Sequence, residues 1–352
     1  MVVCSLNGSR TIAACLEGLE RQTIRDRAEV VVVDDGSTDG TSELARRFDV
    51  ELVRHRQNLG ISAARNTGIA TVRAPLVAFT DDDCVPDPGW LEALLGAFER
   101  KEAAGVGGPV EVARTRTLVD RYLADHPPLA PLELALDRHR SLAGRIVIYL
   151  TTMWSCPRTG AGRYVHSLAG ANMSFRASAL ESVGRFDPRM TFGADDEHVC
   201  EAIRDRLGAR VLWFEPAAVV RHDYEGTVRD LLRRSYAYGS GHARAFLDEP
   251  SRRWPIVFPF PIALALGLVV ARRGSRPVVL LLAHLLLPQG IKGALRHRRL
   301  DALAYTWLRL AEETAHNAGM LVGLLGALSG RSPRSQPVDS RVDGAGDPPV
   351  RS

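Results

Sequence analysis

The first hundred residues alternate between short apolar runs and segments whose apolar residues recur at helical spacing. One run, Glu29–Val33, is nearly all valine, which is typical of a strand buried on both faces. The alternation predicts an α/β fold with a mostly parallel, twisted sheet, right-handed crossovers and helices on both faces. The predicted strands are Val2–Ser5, Glu29–Val33, Asp49–His55 and Leu76–Thr80, and the predicted helices are Ser9–Thr23, Thr38–Phe48, Ile61–Val72 and Pro88–Arg100, the last with Asp87 as N-cap.

The pattern changes after this region. Residues 115–165 carry several prolines and are predicted as an insertion of uncertain structure. Regular periodicity returns in His166–Ser174, in the helices Ala177–Val183, Asp195–Leu207 and Thr227–Tyr238, and in the strand Arg210–Phe214. Three apolar runs follow, at Ile256–Ala271, Val278–Leu287 and Met320–Leu328. The tail from Arg331 is rich in Ser, Pro, Arg and Gly and is predicted to be disordered.

Composition limits the class of protein. The chain has 352 residues, 45% hydrophobic and 24% charged, which suits one or two globular domains. Its formal net charge of +4 is too small to indicate a nucleic-acid partner. The five cysteines are odd in number and form no C-x-x-C pair, so a disulfide framework is not expected and a reducing, cytosolic environment is favoured.

Three consecutive carboxylates, Asp81, Asp82 and Asp83, follow the predicted strand Leu76–Thr80. They would repel one another strongly without a compensating cation. Ligands of open parallel sheets bind at the carboxyl ends of the strands, and in an extended segment Asp81 and Asp83 would point the same way. Oxygen ligands of this kind suit Mg²⁺ or Mn²⁺. The alternative is a solvated acidic turn.

A second carboxylate pair, Asp34 and Asp35, follows the predicted strand Glu29–Val33. A carboxylate at this position can accept hydrogen bonds from a uracil base or from ribose hydroxyls. The alternative role is to cap the next helix, but Asp39 or Thr38 can do that without either of the pair. Two acidic strand ends in one sheet therefore favour a binding site over a solvated turn.

A third cluster, Asp195, Asp196 and Glu197, begins a predicted helix. The helix dipole alone explains one or two acidic residues there. The functional hypothesis is a general base that removes a proton from an attacking hydroxyl group.

These segments resemble the motifs of family 2 glycosyltransferases and occur in that family's order. The resemblance covers roughly residues 1–240 and implies a GT-A fold. The matching segments are Val33–Thr41 (VDDGSTDGT), Asn58–Gly60 with Ala64–Asn66, Asp81–Asp83 (the DxD metal motif), Gly170–Met173 (GxN), Gly184–Asp187 (GxFD), Gly193–Glu197 (the acidic motif) and Val220–His222 (VxH).

The resemblance implies a role for each matching residue. Donor binding is expected from Ser5, Asn7, Asp34, Asp35, Arg65, Asp81 and Asp82. A Mn²⁺ or Mg²⁺ ion is expected at Asp83, with Asp81 and His222. Acceptor binding is expected from Gly170, Ala171 and Asn172, and catalysis from Asp195 with Asp196 and Glu197. The alternatives are an exposed helix charge for Arg65 and a surface histidine for His222.

The sequence departs from the family pattern at three places. The chain begins within the first strand, and Cys4–Asn7 stands where a P-T-Y-N-like element is usual, so either the start is assigned late or the edge of the nucleotide pocket is altered. Ala194 replaces the usual Glu of the acidic motif. No Q-x-x-R-W follows in Arg229–Tyr238, which disfavours processive polymer synthesis.

The reaction implied by the resemblance is an inverting, metal-dependent transfer of a sugar, of the hexosyltransferase type, from a nucleoside diphosphate donor. The acceptor is expected to be a lipid-linked or saccharide hydroxyl in envelope or polysaccharide synthesis. One alternative is a non-catalytic nucleotide-sugar-binding protein, which the start of the chain and Ala194 keep open. The other is a sugar-phosphate nucleotidyltransferase, but its glycine- and lysine-rich N-terminal loop is not matched, since no lysine precedes Lys101.

The chain is predicted to divide into a glycosyltransferase domain (1–250), a hydrophobic helical region associated with the membrane (251–330) and a tail (331–352). The domain comprises a nucleotide-binding half (1–114), the insertion (115–165) and an acceptor half (166–250). Ile256–Ala271 is shorter than the about 20 residues that span a bilayer. An interfacial or re-entrant hairpin is therefore expected, or else buried helices. Attachment to the cell membrane with a cytoplasmic catalytic domain is the preferred hypothesis.

Overall fold

The computed structural model describes residues 1–130, 160–190, 193–248, 258, 261 and 290–328. The strands are β1 (Val2–Ser5), β2 (Val31–Asp34), β3 (Glu51–Arg54), β4 (Leu76–Asp81), β5 (Cys84–Pro86), β6 (Gly105–Gly107), β7 (Val110–Val112), β8 (Arg163–Tyr164), β9 (Met173–Arg176), β10 (Leu212–Phe214) and β11 (Val220–His222). The helices are α1 (Ile12–Glu20), α2 (Thr41–Ala45), α3 (Ile61–Thr71), α4 (Trp90–Arg100), α5 (Leu118–Asp125), α6 (Ala177–Ser182), α7 (Asp195–Leu207), α8 (Val228–Asp248) and α9 (Tyr305–Leu328). Short 3-10 turns cover Arg25–Arg27, Gly170–Asn172 and Leu300–Ala304, and residues 290–297 are helical.

The main sheet has eight strands in the order β3-β2-β1-β4-β9-β6-β10-β8. Strands β3, β2, β1 and β4 pair in parallel, as do β6 and β10, whereas β9 and β8 run antiparallel to their neighbours. A small second sheet has the order β5-β11-β7. The predicted α/β fold with a mostly parallel sheet is thus confirmed.

The valine run of β2 shows why the sheet is buried on both faces. Val32 packs in one apolar cluster with residues of α1 and α4, such as Ile12. Val31 and Val33 point the other way, into a cluster with residues of α3 and α7, such as Ala64. Because successive side chains of a strand alternate between faces, an all-valine strand packs against helices on both sides of the sheet.

The start of α4 differs from the prediction. The helix begins at Trp90 with Gly89 as its N-cap, and the Asp87 side chain forms no cap. The Asp87 carboxylate instead accepts a hydrogen bond from Arg221 Nε at 2.8 Å, and the Asp87 carbonyl accepts from the Trp90 N–H at 2.9 Å. The prediction of Asp87 as N-cap and Pro88 as the first helical residue was therefore wrong, because a partner distant in sequence takes the carboxylate.

Parts of other predictions fall on residues outside the described ranges. Within the 115–165 insertion, α5 begins with a capping box in which Thr117 and Asp120 exchange hydrogen bonds, and β8 joins the main sheet, while residues 131–159 are not described. The apolar runs Ile256–Ala271 and Val278–Leu287 lie almost wholly outside the described residues, as does the tail from Arg331. α8 extends to Asp248, beyond the end predicted at Tyr238.

Within the described ranges, no helix combines the length and the apolar character needed to cross a bilayer. α9 has 24 residues, but charged residues such as Arg309 and Glu313 occupy its first half. The membrane-associated C-terminal region stays a prediction.

Helices α8 and α9 approach each other closely at glycines. A Cβ atom at Gly239 of α8 would lie 2.0 Å from the carbonyl oxygen of His316 in α9, and one at Gly319 of α9 would lie 2.0 Å from the carbonyl oxygen of Tyr236 in α8. The two backbones are in direct contact at these points, so side chains larger than hydrogen do not fit between them.

We expect Gly319→Ala to lower the free energy of unfolding by about 1–3 kcal/mol, because the added methyl group forces the two backbones apart. The matched control is Gly326→Ala in the same helix, where an added Cβ meets no atom within 4 Å and the better helix propensity of alanine applies. Urea unfolding of both variants measures the difference. Equal midpoints for the two variants would contradict the close contact between the helices.

Candidate active site

The three carboxylates after β4 lie in a turn. β4 ends at Asp81, β5 begins at Cys84, and Asp82 and Asp83 form the turn between them. The chain turns because β5 leaves the main sheet and pairs with β11, where Cys84 stands opposite His222. The expectation of an extended segment was therefore wrong, although Asp81 and Asp83 both remain at the carboxyl end of β4 and interact electrostatically.

Asp83 faces the last residue of β11. His222 Nε2 lies 3.4 Å from Asp83 Oδ1, and the histidine is 3% exposed, which excludes the alternative of a surface histidine. Burial lowers the pKa of His222 to about 4, so the imidazole is neutral at pH 7, and burial raises the pKa of Asp83. The acidic turn and the VxH motif thus meet.

This group suits a divalent cation. One ligand atom from each of Asp83, Cys84 and His222 lies within 4.8 Å of the other two. A neutral imidazole offers a lone pair to a metal ion, and carboxylate oxygens suit Mg²⁺ and Mn²⁺. Burial raises the pKa of the Cys84 thiol well above its ordinary value, which makes it the weakest candidate of the three. Asp81 interacts electrostatically with both Asp83 and His222.

Arg65 of α3 joins the first and third acidic clusters. Its Nη1 donates a hydrogen bond to Asp195, and its Nη2 lies 3.4 Å from Asp81 Oδ1. The residue is 4% exposed, which excludes the alternative of an exposed helix charge. Burial lowers the pKa of Arg65, but the carboxylates of Asp195 and Asp81 outweigh it and raise that pKa above its ordinary value. One buried cation therefore holds carboxylates from β4 and α7 side by side.

Asp81 is the more open of the two partners of Arg65. About a third of its side chain is exposed, at 33%, against 7% for Asp195. Burial nevertheless raises the pKa of Asp81, with Arg65 opposing the shift. Asp81 thus lies in a protein environment that raises its pKa, while part of its side chain remains accessible to solvent and therefore to a ligand.

The acidic motif begins α7 after an unusual turn. Gly193 and Ala194 have φ angles of 76° and 61°, so two consecutive residues adopt the left-handed conformation, which is unfavourable for alanine. Asp196 Oδ2 accepts a hydrogen bond from the Gly170 N–H at 2.7 Å, and Oδ1 accepts one from the Glu197 N–H at 2.9 Å. Burial, with the charges of Asp195 and Glu197, raises the pKa of Asp196 to about 7.

Asp34 and Asp35 lie at the end of β2, as predicted. Both carboxylates accept hydrogen bonds from groups within the protein. Asp34 Oδ1 accepts from the Ser37 N–H at 2.8 Å. The Asp35 carboxylate accepts from the Gly60 N–H at 2.9 Å and lies 2.7 Å from His55 Nδ1. These contacts order the loops that follow β2 and precede α3. Donor binding by the two residues stays a prediction.

The carboxyl end of β1 contacts the loops that follow β4 and β2. Ser5 Oγ donates a hydrogen bond to Asp82. Burial raises the pKa of Asp82 to about 7 although this hydrogen bond opposes it. Asn7 has a φ angle of 56°, and its Oδ1 accepts from the Thr38 N–H at 2.9 Å. The edge formed by Ser5 and Asn7 thus lies beside the acidic turn, and its role in donor binding stays a prediction.

The Gly170–Asn172 turn carries the predicted acceptor residues. Asn172 is fully buried, and its amide accepts from Trp90 Nε1 at 2.8 Å and donates to the carbonyl oxygens of Pro109 at 2.9 Å and Ala218 at 2.8 Å. The Ala171 carbonyl accepts from Thr80 at 3.0 Å. A Cβ atom at Gly170 would lie 2.7 Å from Arg65 Nη2. The Asn172 amide therefore joins three parts of the fold, and an acceptor role for the turn stays a prediction.

Sequence reasoning passed over α8, which also borders the site. Arg234 Nη1 lies 3.4 Å from His222 Nε2, and its Nε donates to Asp230 Oδ2 at 2.8 Å. Tyr238 interacts electrostatically with Arg234 and with carboxylates of the first and third clusters, namely Asp81, Asp83 and Asp196. The available signal was the four-residue spacing of Arg234, Tyr238 and His242, which puts them on one helix face. A search for Q-x-x-R-W does not detect it.

Comparison with known proteins now decides the family. The model of the family described as "Glycosyl transferase family 2" matches residues 1–156. The pre-mycofactocin glycosyltransferase of Mycobacterium tuberculosis is 30% identical over 355 residues, covering 97% of this chain and 68% of that protein. The chain belongs to glycosyl transferase family 2. The prediction of a glycosyltransferase is confirmed, and the nucleotidyltransferase and non-catalytic alternatives are set aside.

Two further comparisons place this family 2 glycosyltransferase. The glucosyl-dolichyl phosphate glucuronosyltransferase of Haloferax volcanii is 28% identical over 236 residues, covering 62% of this chain and 67% of that protein. The solved structure of mannosyltransferase PcManGT from Pyrobaculum calidifontis, in complex with GDP-Man and Mn²⁺, has a TM-score of 0.59 at 22% identity and covers 92% of this chain and 86% of its own. The second likeness shows the GT-A-like fold.

We expect Asn172→Ala in this glycosyltransferase to lower the free energy of unfolding, by about 1–3 kcal/mol for each buried group left without a partner. Asn172→Asp should also destabilise, because it places a carboxylate against the Pro109 and Ala218 carbonyls. Glu99→Ala, on the exposed side of α4, serves as the control. Guanidinium unfolding followed by tryptophan fluorescence measures the change. If Asn172→Ala kept wild-type stability while transfer was lost, a direct acceptor role would replace the structural one.

Proposed function

We propose that this protein is an inverting, metal-dependent glycosyltransferase that moves a sugar from a nucleoside diphosphate donor to a hydroxyl acceptor. The observation that carries the proposal is the contact of Arg65 with both Asp81 and Asp195. It brings together carboxylates that the chain separates widely, next to the Asp83–His222 pair. The solved relative with the same overall fold holds GDP-Man and Mn²⁺, which supports this reading of the site.

The donor end lies at the turn between β4 and β5. Asp83 and His222, with Asp81, would hold Mn²⁺ or Mg²⁺, and such an ion stabilises negative charge on a departing diphosphate. Arg234 contacts His222 and adds a second cation near the proposed metal ligands. The nucleoside would bind toward β1 and β2, beside Ser5 and the loop that Asp35 orders.

The acceptor end lies at the first turn of α7. Asp195 is the proposed base, and Arg65 holds its carboxylate beside Asp81. Asp195 removes the proton of the acceptor hydroxyl while the acceptor oxygen attacks the anomeric carbon from the face opposite the diphosphate. The bond between the anomeric carbon and the diphosphate oxygen breaks, the diphosphate leaves with the electron pair, and the configuration inverts.

Substitution at Asp195 and Asp83 should separate catalysis from donor binding. Asp195→Asn should lower kcat by about 10²–10⁴-fold, as loss of a general base does, while affinity for the donor stays within about twofold of wild type. Asp83→Asn should raise the Mn²⁺ concentration needed for half-maximal activity. The measurements are transfer assays over a panel of UDP-, GDP- and dTDP-sugars with Mn²⁺, and calorimetry of donor binding.

The control is Asp205→Asn, at the exposed end of the same helix α7, which should leave kcat unchanged. Near-wild-type turnover of Asp195→Asn would show that another group takes the proton. Activity of Asp83→Asn that is independent of added metal would contradict the assignment of the metal ligand.

We also propose that the enzyme works on a lipid-linked or saccharide acceptor at the surface of the cell membrane, in envelope or polysaccharide synthesis. Residues 290–307 expose several large apolar side chains, of which Leu295 at 75%, Leu300 at 81% and Trp307 at 66% are the most exposed. Basic residues are interspersed with them along the chain, including the exposed Arg298. Apolar and aromatic groups among basic ones are the composition of a face that binds anionic lipid headgroups.

Co-flotation of the full chain with vesicles tests this surface. We expect binding to vesicles with phosphatidylglycerol to exceed binding to vesicles of phosphatidylcholine alone. The double variant Leu300→Ser, Trp307→Ser should reduce binding to anionic vesicles by roughly tenfold. The control is Leu207→Ser, an exposed leucine at the end of α7. Unchanged flotation of the double variant would place attachment elsewhere, and no flotation of the wild type would refute it.

A further inference from the structure

The C-terminal helix α9 reaches the acidic motif through a pair of histidines. His316 Nε2 of α9 lies 2.9 Å from His242 Nδ1 of α8. His242 Nε2 lies 3.6 Å from Glu197 Oε1 in the first turn of α7. The three side chains thus form a chain from α9 to the helix that carries Asp195.

Close packing fixes the geometry of this chain. His316 is 5% exposed, and its own carbonyl oxygen is the atom that a Cβ at Gly239 would meet. On the other side of α8, a Cβ at Gly193 would lie 3.5 Å from the Cα of Gly241. α8 is therefore packed between α9 and the turn that precedes the acidic motif, which places the histidine pair beside Glu197.

The environment of His316 determines where its proton lies. Burial lowers the pKa of His316 to about 3, so the ring is neutral at pH 7 and carries one N–H and one lone pair. Its Nδ1 is buried and has no hydrogen-bond partner among the described residues. An orphaned buried N–H is rarer in proteins than an orphaned acceptor. The proton of His316 therefore lies on Nε2, the nitrogen that faces His242.

The tautomer of His242 follows from that of His316. With His316 Nε2–H as the donor, His242 Nδ1 is the acceptor and carries no proton. The proton of a neutral His242 then lies on Nε2, which faces the Glu197 carboxylate. The His316–His242 contact is then a hydrogen bond, and the His242 N–H faces the Glu197 carboxylate at 3.6 Å, as an electrostatic contact longer than a hydrogen bond.

We propose that His316 and His242 are positioning residues for glycosyl transfer: they direct an N–H group at Glu197 and so hold the first turn of α7, with Asp195 and Asp196, in its working orientation. This inference rests on the proposed function of the acidic motif. It makes α9 part of the catalytic apparatus, although none of the family motifs lies in that helix.

The tautomers are measurable without any turnover. Nitrogen-15 NMR of the full chain with labelled histidine should show, for His242 at pH 7, an unprotonated Nδ1 and a protonated Nε2. Signals are assigned with the single variants His242→Gln and His316→Gln. A proton on Nδ1 of His242 in the wild type would overturn the inference. This outcome does not depend on whether the chain transfers a sugar.

Kinetics test whether the chain of contacts matters for the reaction. His316→Leu should lower kcat by roughly ten- to a hundredfold, because small displacements at a catalytic centre are costly, with KM for the donor nearly unchanged. His316→Gln should restore most of the loss, because its side-chain amide can donate a hydrogen bond from the position of Nε2. The control is Thr314→Ala, an exposed residue of the same helix.

The two measurements together separate the possible failures. Wild-type kcat in a folded His316→Leu variant, or no rescue by glutamine, would overturn the positioning role. If His316→Leu does not fold, the NMR of the wild type and the kinetics of His316→Gln still decide the inference. If no donor supports transfer by the wild type, the proposed function fails, while the tautomer result stands by itself.

Discussion

The site depends on one buried guanidinium. Arg65 lies between Asp81 and Asp195, and without it two largely enclosed carboxylates would face each other with no compensating charge. α3 supplies this cation to elements that meet only in the folded protein. A Cβ atom at Gly170 would collide with the same guanidinium, so the turn beside it is also shaped around Arg65. The arrangement explains how acidic segments that repel one another can share one edge of the sheet.

Local pattern was sufficient for the general architecture and for the positions of the acidic groups. The valine run of β2 is buried on both faces, as its composition indicates, and the alternation of strands and helices led to the correct sheet class. The aspartates of the first two clusters lie at the ends of β4 and β2 because each hydrophobic run stops where its aspartates start. The chemical role expected of each site residue came from the resemblance to family 2 glycosyltransferases. The local sequence alone left structural alternatives open for Arg65 and His222.

Features set by contacts between distant residues were not predictable in this way. The turn at Asp82 and Asp83 arises because β5 pairs with β11 in a second sheet. The Asp87 carboxylate binds Arg221 and does not cap α4. The buried amide of Asn172 joins segments that nothing in the local sequence connects. The position of α8 beside the site was not predicted for the same reason. The charged residues on its face are explained only by the site residues that they contact.

The position of β9 has a consequence for how the chain acquires its structure. β9 comes from Met173–Arg176 but lies between β4 and β6, pairing antiparallel with both. Until this segment leaves the ribosome, only β3, β2, β1 and β4 of the main sheet can pair, and β4 is an exposed edge, since β6 pairs only with β9 and the still later β10. The N-terminal part that the family model matches, residues 1–156, ends before β9. A strand that is synthesised late must therefore pair with strands that are synthesised early. Completion of the sheet depends on pairing between segments far apart in the sequence, which is slow.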